Sequence, residues 1–113
     1  MNMNIGHTIK ILRTALDIKQ KELSRETGIP QNSLSLLENG MKHPTTATIG
    51  RVCKAFNISE PLLHLLAIEE QDVVQSKRKT YKVVHESIVN LTVRMIMAAR
   101  EEKPVMSERS FNI

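Results

Sequence analysis

The sequence predicts an all-α protein: a bundle of five short helices followed by a longer amphipathic helix. Three observations carry this. Apolar residues recur at spacings of three and four along Ile5, Ile9, Leu12 and Leu16, and again along Tyr81, Val84, Ile88, Leu91, Met95 and Ala98, which is the period of one helix face. Gly28 and Gly40 fall where short helices should end, while Pro30 and Pro61 fall where they should begin. Trp is absent and Phe56, Tyr81 and Phe111 are the only aromatic residues, so the core has to be aliphatic, which suits short packed helices.

After a short arm from Met1 to Gly6, helix one is expected from about Gly6 to Leu16. Helix two runs from about Lys19 to Thr27 and helix three from about Gln31 to Asn39. Gly28 lies where helix two must stop and the chain reverse, because glycine adopts positive φ cheaply. Pro30 suits a helix start, since its missing N–H would have no partner there. Two helices joined by a tight turn containing glycine make a helix-turn-helix.

The stretch Gln20–Gly40 reads Q-x-x-L-S-x-x-x-G-I-x-x-x-x-L-S-x-x-E-N-G. This pattern, with Pro44 beyond it, resembles the phage-repressor (Cro/CI, or XRE-type) family of helix-turn-helix DNA-binding domains, from about Ile5 to Leu66. The resemblance implies that the first turn of helix three enters a DNA major groove. Gln31, Asn32 and Ser33, with Leu36 one turn on, are then the base readers. Gln and Asn can make paired hydrogen bonds to adenine, and Leu can pack on a thymine methyl, so A·T pairs are expected at these positions. It also implies phosphate contacts from Gln20, Asn39 and Lys42, joined by His43. Lys19 stands where relatives carry a capping Ser or Thr, and is expected to touch phosphate instead. Arg13 and Glu38 occupy positions where relatives form an ion pair between helices one and three.

Thr45 is the expected N-cap of helix four, whose inner face is Ile49, Val52, Cys53 and Phe56. Ser59, Glu60 and Pro61 open helix five, and Leu62, Leu63, Leu65 and Leu66 close the bundle. Beyond Ala67 the resemblance ends. The Tyr81–Ala98 stripe predicts a helix over roughly 72–102, ended by Pro104. The β-branched residues Val83, Val84, Ile88, Val89, Thr92 and Val93 also fit a strand; Arg94 inside the apolar run and the length of the periodic segment favour helix. The expected organisation is a DNA-binding domain over 1–67, a dimerisation or interaction segment over 68–102 and a flexible tail over 103–113. Tyr81, Val84, Ile88, Leu91 and Met95 would pair two subunits or seal the back of the bundle. The tail's last residues, Phe111, Asn112 and Ile113, form a candidate docking peptide.

The net charge is +4, concentrated in the first half, which favours a polyanionic partner. Cys53 is the lone cysteine, so no intrachain disulfide is expected, and a core thiol suits its position. The four histidines show no metal-ligand spacing. No nucleophile–base pair or phosphate loop is evident, so neither a cofactor nor an enzyme is expected. No signal peptide or membrane-length apolar run is evident, and the cytoplasm of a bacterium, from a bacterial or phage-encoded gene, is the expected location. The predicted function is a dimeric transcriptional regulator, a repressor on double-stranded DNA at a palindromic operator, with an antirepressor as a candidate protein partner. The alternative is an antitoxin that holds DNA with its first half and a toxin with its second.

Overall fold

The computed structural model describes residues 3–109, with side chains over 4–101. Among these, six α-helices follow in order: α1 (Met3–Ala15), α2 (Gln20–Thr27), α3 (Gln31–Glu38), α4 (Thr46–Phe56), α5 (Glu60–Leu66) and α6 (Arg78–Arg109). Single 3-10 turns at Glu70–Asp72 and Gln75–Lys77 precede α6. No strand occurs among the described residues, so the β-branched stretch is helical.

Each short helix is delimited by local chemistry. Thr45 caps α4 by accepting from the Thr48 N–H at 3.1 Å, and Ser59 caps α5 by accepting from the Leu62 N–H at 3.3 Å. At the end of α3, the Gly40 N–H donates to Leu37 O and the Met41 N–H to Leu36 O. With Gly40 at φ 77°, this is a Schellman stop. The same bond pair closes α1 at Asp17 and α4 at Asn57, both at φ 59°. Asp and Asn tolerate that left-handed conformation better than most residues with a Cβ.

The helices bury one aliphatic core. Ile9, Leu12, Leu23, Leu34, Val52, Phe56 and Leu63 are each at most 1% exposed. Each such side chain contributes roughly 1.5–3 kcal/mol relative to leaving it in water. Gly6 lets α1 approach the backbone of α3: a Cβ there would lie 1.9 Å from the Leu37 carbonyl oxygen. This contact and the buried Ile5 also explain why residues 3–6, expected in a flexible arm, belong to α1.

α6 lies against the back of this bundle. Thr92 and Ile96 are 1% and 2% exposed, and Ile88, Val89 and Val93 pack on the core. His85 Nε2 sits 2.7 Å from Leu66 O, so that nitrogen carries the proton and completes the end of α5. Tyr81 donates its hydroxyl proton to Ile68 O. Arg100 reaches α2 and grips Glu26 with two N–H bonds, at 2.6 and 3.1 Å.

Two expectations about this helix are corrected. It begins at Arg78 rather than near Asp72. Asp72 turns its carboxylate onto the Glu69 N–H at 2.9 Å, Val73 and Val74 are extended, and the Arg78 side chain takes the Val73 carbonyl. Side-chain bonds of this kind compete with the helix ladder. At the other end Pro104 does not stop it, for the helix runs to Arg109 and takes in most of the expected tail. A proline withholds its own N–H from the helix ladder, which disfavours a helix interior but does not by itself end the helix. Phe111, Asn112 and Ile113 lie outside the described residues.

Candidate nucleic-acid interface

α2 and α3 are set by the turn between them. Gly28, at φ 77°, donates its N–H to Ser24 O at 2.8 Å and ends α2. Pro30 is extended and its carbonyl accepts the first bond of α3, from the Leu34 N–H at 2.9 Å. Leu23, Ile29, Leu34 and Leu37 are buried beneath the pair. The spacing of those four apolar residues fixes which face of α3 remains outside.

That face holds Gln31, Asn32 and Leu36, all exposed, with Ser33 half-buried beside them. Leu36 is 43% exposed. The Gln31 amide has no protein partner among the described residues. Asn32 Oδ1 accepts from the Ser33 N–H at 2.8 Å, so its oxygen is engaged. The Lys42 ammonium comes within 3.4 Å of Ser33 Oγ, which brings a cation from the following loop to the first turn of α3. Lys19, Asn39 and His43 are also exposed.

Beneath α3 lies a buried ion pair. Arg13 Nε and NH2 donate to the two oxygens of Glu38 at 2.7 and 2.9 Å, and Arg13 NH1 donates to Ile18 O at 2.8 Å. Gln20 Nε2 donates to Glu38 Oε1 at 2.9 Å. The Glu38 side chain is 1% exposed, and these donors satisfy it. Gln20 is therefore not a loose surface amide. It ties the start of α2 to the end of α3, with its remaining donor available to a ligand.

Lys19 precedes α2 and provides no side-chain cap; the Glu22 carboxylate accepts from the Lys19 N–H at 3.3 Å instead. The first turn of α2 therefore carries the Glu22 carboxylate but no side-chain cap from Lys19.

The expected dimer residues divide into two sets. Tyr81 and Ile88 are engaged with their own bundle, which is the sealing alternative for these two residues. The helical period sets both within a quarter turn of Thr92 and of Ile96. Val84, Leu91 and Met95, further round the helix, are 48%, 58% and 49% exposed. Leu65 and Ile68 lie exposed near Val84 and share a small apolar pocket with it.

Cys53 lies in the core, where burial, assisted by the nearby Glu60 carboxylate, pushes its thiol up to about 11. That makes it a packing residue with little thiolate at neutral pH. Sequence reasoning did not find Gly6, His85 or the Glu26–Arg100 pair. A glycine inside an amphipathic helical stretch was the one available signal for Gly6.

The class follows from this geometry and from comparison with known proteins. The helix-turn-helix family matches residues 9–63. The "ImmF control region 10 kDa protein" of Bacillus phage phi105 is 32% identical over 71 residues, covering 63% of this chain and 76% of that protein. The chain belongs to the helix-turn-helix family of phage-repressor type, with a helix-turn-helix DNA-binding domain. It is also similar to "Antitoxin PezA" of Streptococcus pneumoniae serotype 4, 46% identical over 55 residues, which are 49% of this chain and 35% of the antitoxin. The chain thus spans about a third of one relative and three-quarters of the other. No solved structure matches it. Among the described residues no helix is long and apolar enough to cross a membrane.

Proposed function

We propose that this protein is a sequence-specific transcriptional regulator, a repressor that occupies a palindromic operator as a homodimer in the bacterial cytoplasm. One observation carries the reading: α3 buries Leu34, Leu37 and Glu38 and holds Gln31, Asn32 and Leu36 outward together. Gln31 is the principal reader, its amide oxygen accepting from adenine N6 and its amide nitrogen donating to adenine N7. Asn32 follows after releasing the Ser33 N–H, and Leu36 packs on a thymine methyl. Ser33 reads beside them, with the Lys42 ammonium 3.4 Å from its hydroxyl. Gln20, Lys19, Asn39, Lys42 and His43 hold backbone phosphates, which sets the register without reading sequence.

A single small module buries only about 600–1,000 Å² on DNA, too little for strong discrimination. A second copy supplies the rest. The exposed Val84, Leu91 and Met95 recur at helical spacing, and Leu65 and Ile68 widen the same apolar surface, so a partner's α6 can lie along it. A two-fold pair would set its recognition helices about 34 Å apart.

Selection of bound duplexes from a random pool tests the reading. The expected product is a palindrome with A·T pairs at the α3 contacts; recovery of no enriched sequence contradicts it.

The likeness to an antitoxin supports a second reading, in which the apolar face of α6 receives a toxin instead of a second copy. Purification from the native host separates the two. One polypeptide at twice the chain mass supports the homodimer, and a second, different polypeptide in fixed ratio supports the antitoxin.

A further inference from the structure

A cleft of about 840 Å³ opens where α2 and α4 end and α6 passes. It lies in the size range of small-molecule sites. Arg51, Lys54 and Arg100 line it, against Glu26 as the one acid. Ala55 and Ala99 supply apolar surface. Arg100 is occupied by Glu26 through its two N–H bonds. Arg51 and Lys54 are exposed and form no ion pair among the described residues. Neither belongs to the outward face of α3.

The charge balance decides what fits. The C-termini of α2 and α4 each bring roughly half a negative charge. Together with Glu26 they offset about two of the three cations. Glu22 also attracts Arg100, so the positive charge left over is that of Arg51 and Lys54, which form no ion pair among the described residues.

We propose that this cleft binds a small organic anion, one carboxylate or phosphate group on a short apolar body. The Arg51 guanidinium holds the anion through its planar fork of N–H donors, and Lys54 adds a point charge. The apolar body lies against Ala55 and Ala99. The site needs neither α3 nor DNA, so it stands or falls apart from the regulatory reading.

The test is a titration of the isotopically labelled full chain, followed by its backbone amide resonances. Phenyl phosphate is the probe, and inorganic phosphate is the control without an apolar body. Saturable shifts are expected at amides 51–57 and 99–100, with half-saturation at about 1 mM. The double variant Arg51→Gln/Lys54→Gln should weaken binding by about tenfold or more, as should the change of probe to inorganic phosphate. Absence of saturable shifts at those amides, equal binding by the double variant, or equal binding of inorganic phosphate would each overturn the proposal.

Discussion

α3 and α6 each sink one face into the same core and leave another outside, but the outward faces are opposite in kind. α3 shows Gln31 and Asn32, amides that can exchange water for the polar edges of another molecule, with Leu36 beside them. α6 shows Val84, Leu91 and Met95, which gain nothing from polar edges and gain from apolar burial. A helix can therefore be part of a fold and still carry a second message on its free side. The supports differ too. α3 is anchored from beneath by a buried, fully hydrogen-bonded ion pair. α6 is anchored by aliphatic packing, by the Tyr81 and His85 bonds to Ile68 O and Leu66 O, and by the partly exposed pairs Glu26–Arg100 and Glu70–Lys82.

The largest effect is expected beneath α3. Glu38→Ala leaves Arg13 buried without its partner and frees Gln20, and such losses cost about 3–5 kcal/mol. Urea denaturation should show it as a midpoint shift, with DNA binding lost through unfolding. A midpoint within error of the parent would mean that the pair does not support α3. Next comes Gly6→Ala, where a methyl meets the Leu37 carbonyl. The overpacking should cost about 1–3 kcal/mol or more, against a general preference for Ala in helices. A stabilised variant would show that α1 and α3 are not so close.

The outward faces are probed by exposed substitutions. Gln31→Ala should lose about 1–3 kcal/mol of discrimination at one operator position and little stability. Lys42→Ala should weaken every duplex alike and reduce the salt slope by about one. Leu91→Asp should halve the sedimentation mass while leaving the unfolding free energy within about 0.5 kcal/mol. If Leu91→Asp keeps the parent mass, α6 is not the dimer seam. The smallest effect is Arg100→Ala, expected to cost about 0.2–1 kcal/mol because the pair is partly solvated.

Much of this was legible in the residues. The helices α1 to α5 follow from apolar spacing of three and four and from Gly, Thr, Ser and Pro at their ends, all local signals. The outward set on α3 comes from the resemblance to the phage-repressor motif. What was not legible depends on distant parts of the chain. Gly6 has meaning only once Leu37 lies against it. Glu26 and Arg100 are 74 residues apart in sequence. The start of α6 was misplaced because the Asp72 carboxylate and the extended Val73 and Val74 compete with helix. Its stripe merged two faces because a heptad pattern cannot say which flank meets its own core. Tyr81 and Ile88 went inward while Leu91 and Met95 stayed out.

The most direct test of the central claim uses fluorescence anisotropy on two duplexes, the selected operator and a shuffled one of equal length, at two salt concentrations. Replacing Gln31 and Asn32 together by Ala should bring the two affinities close together while leaving the salt slope unchanged. An unchanged ratio between operator and shuffled duplex would contradict the claim that the outward face of α3 reads the bases.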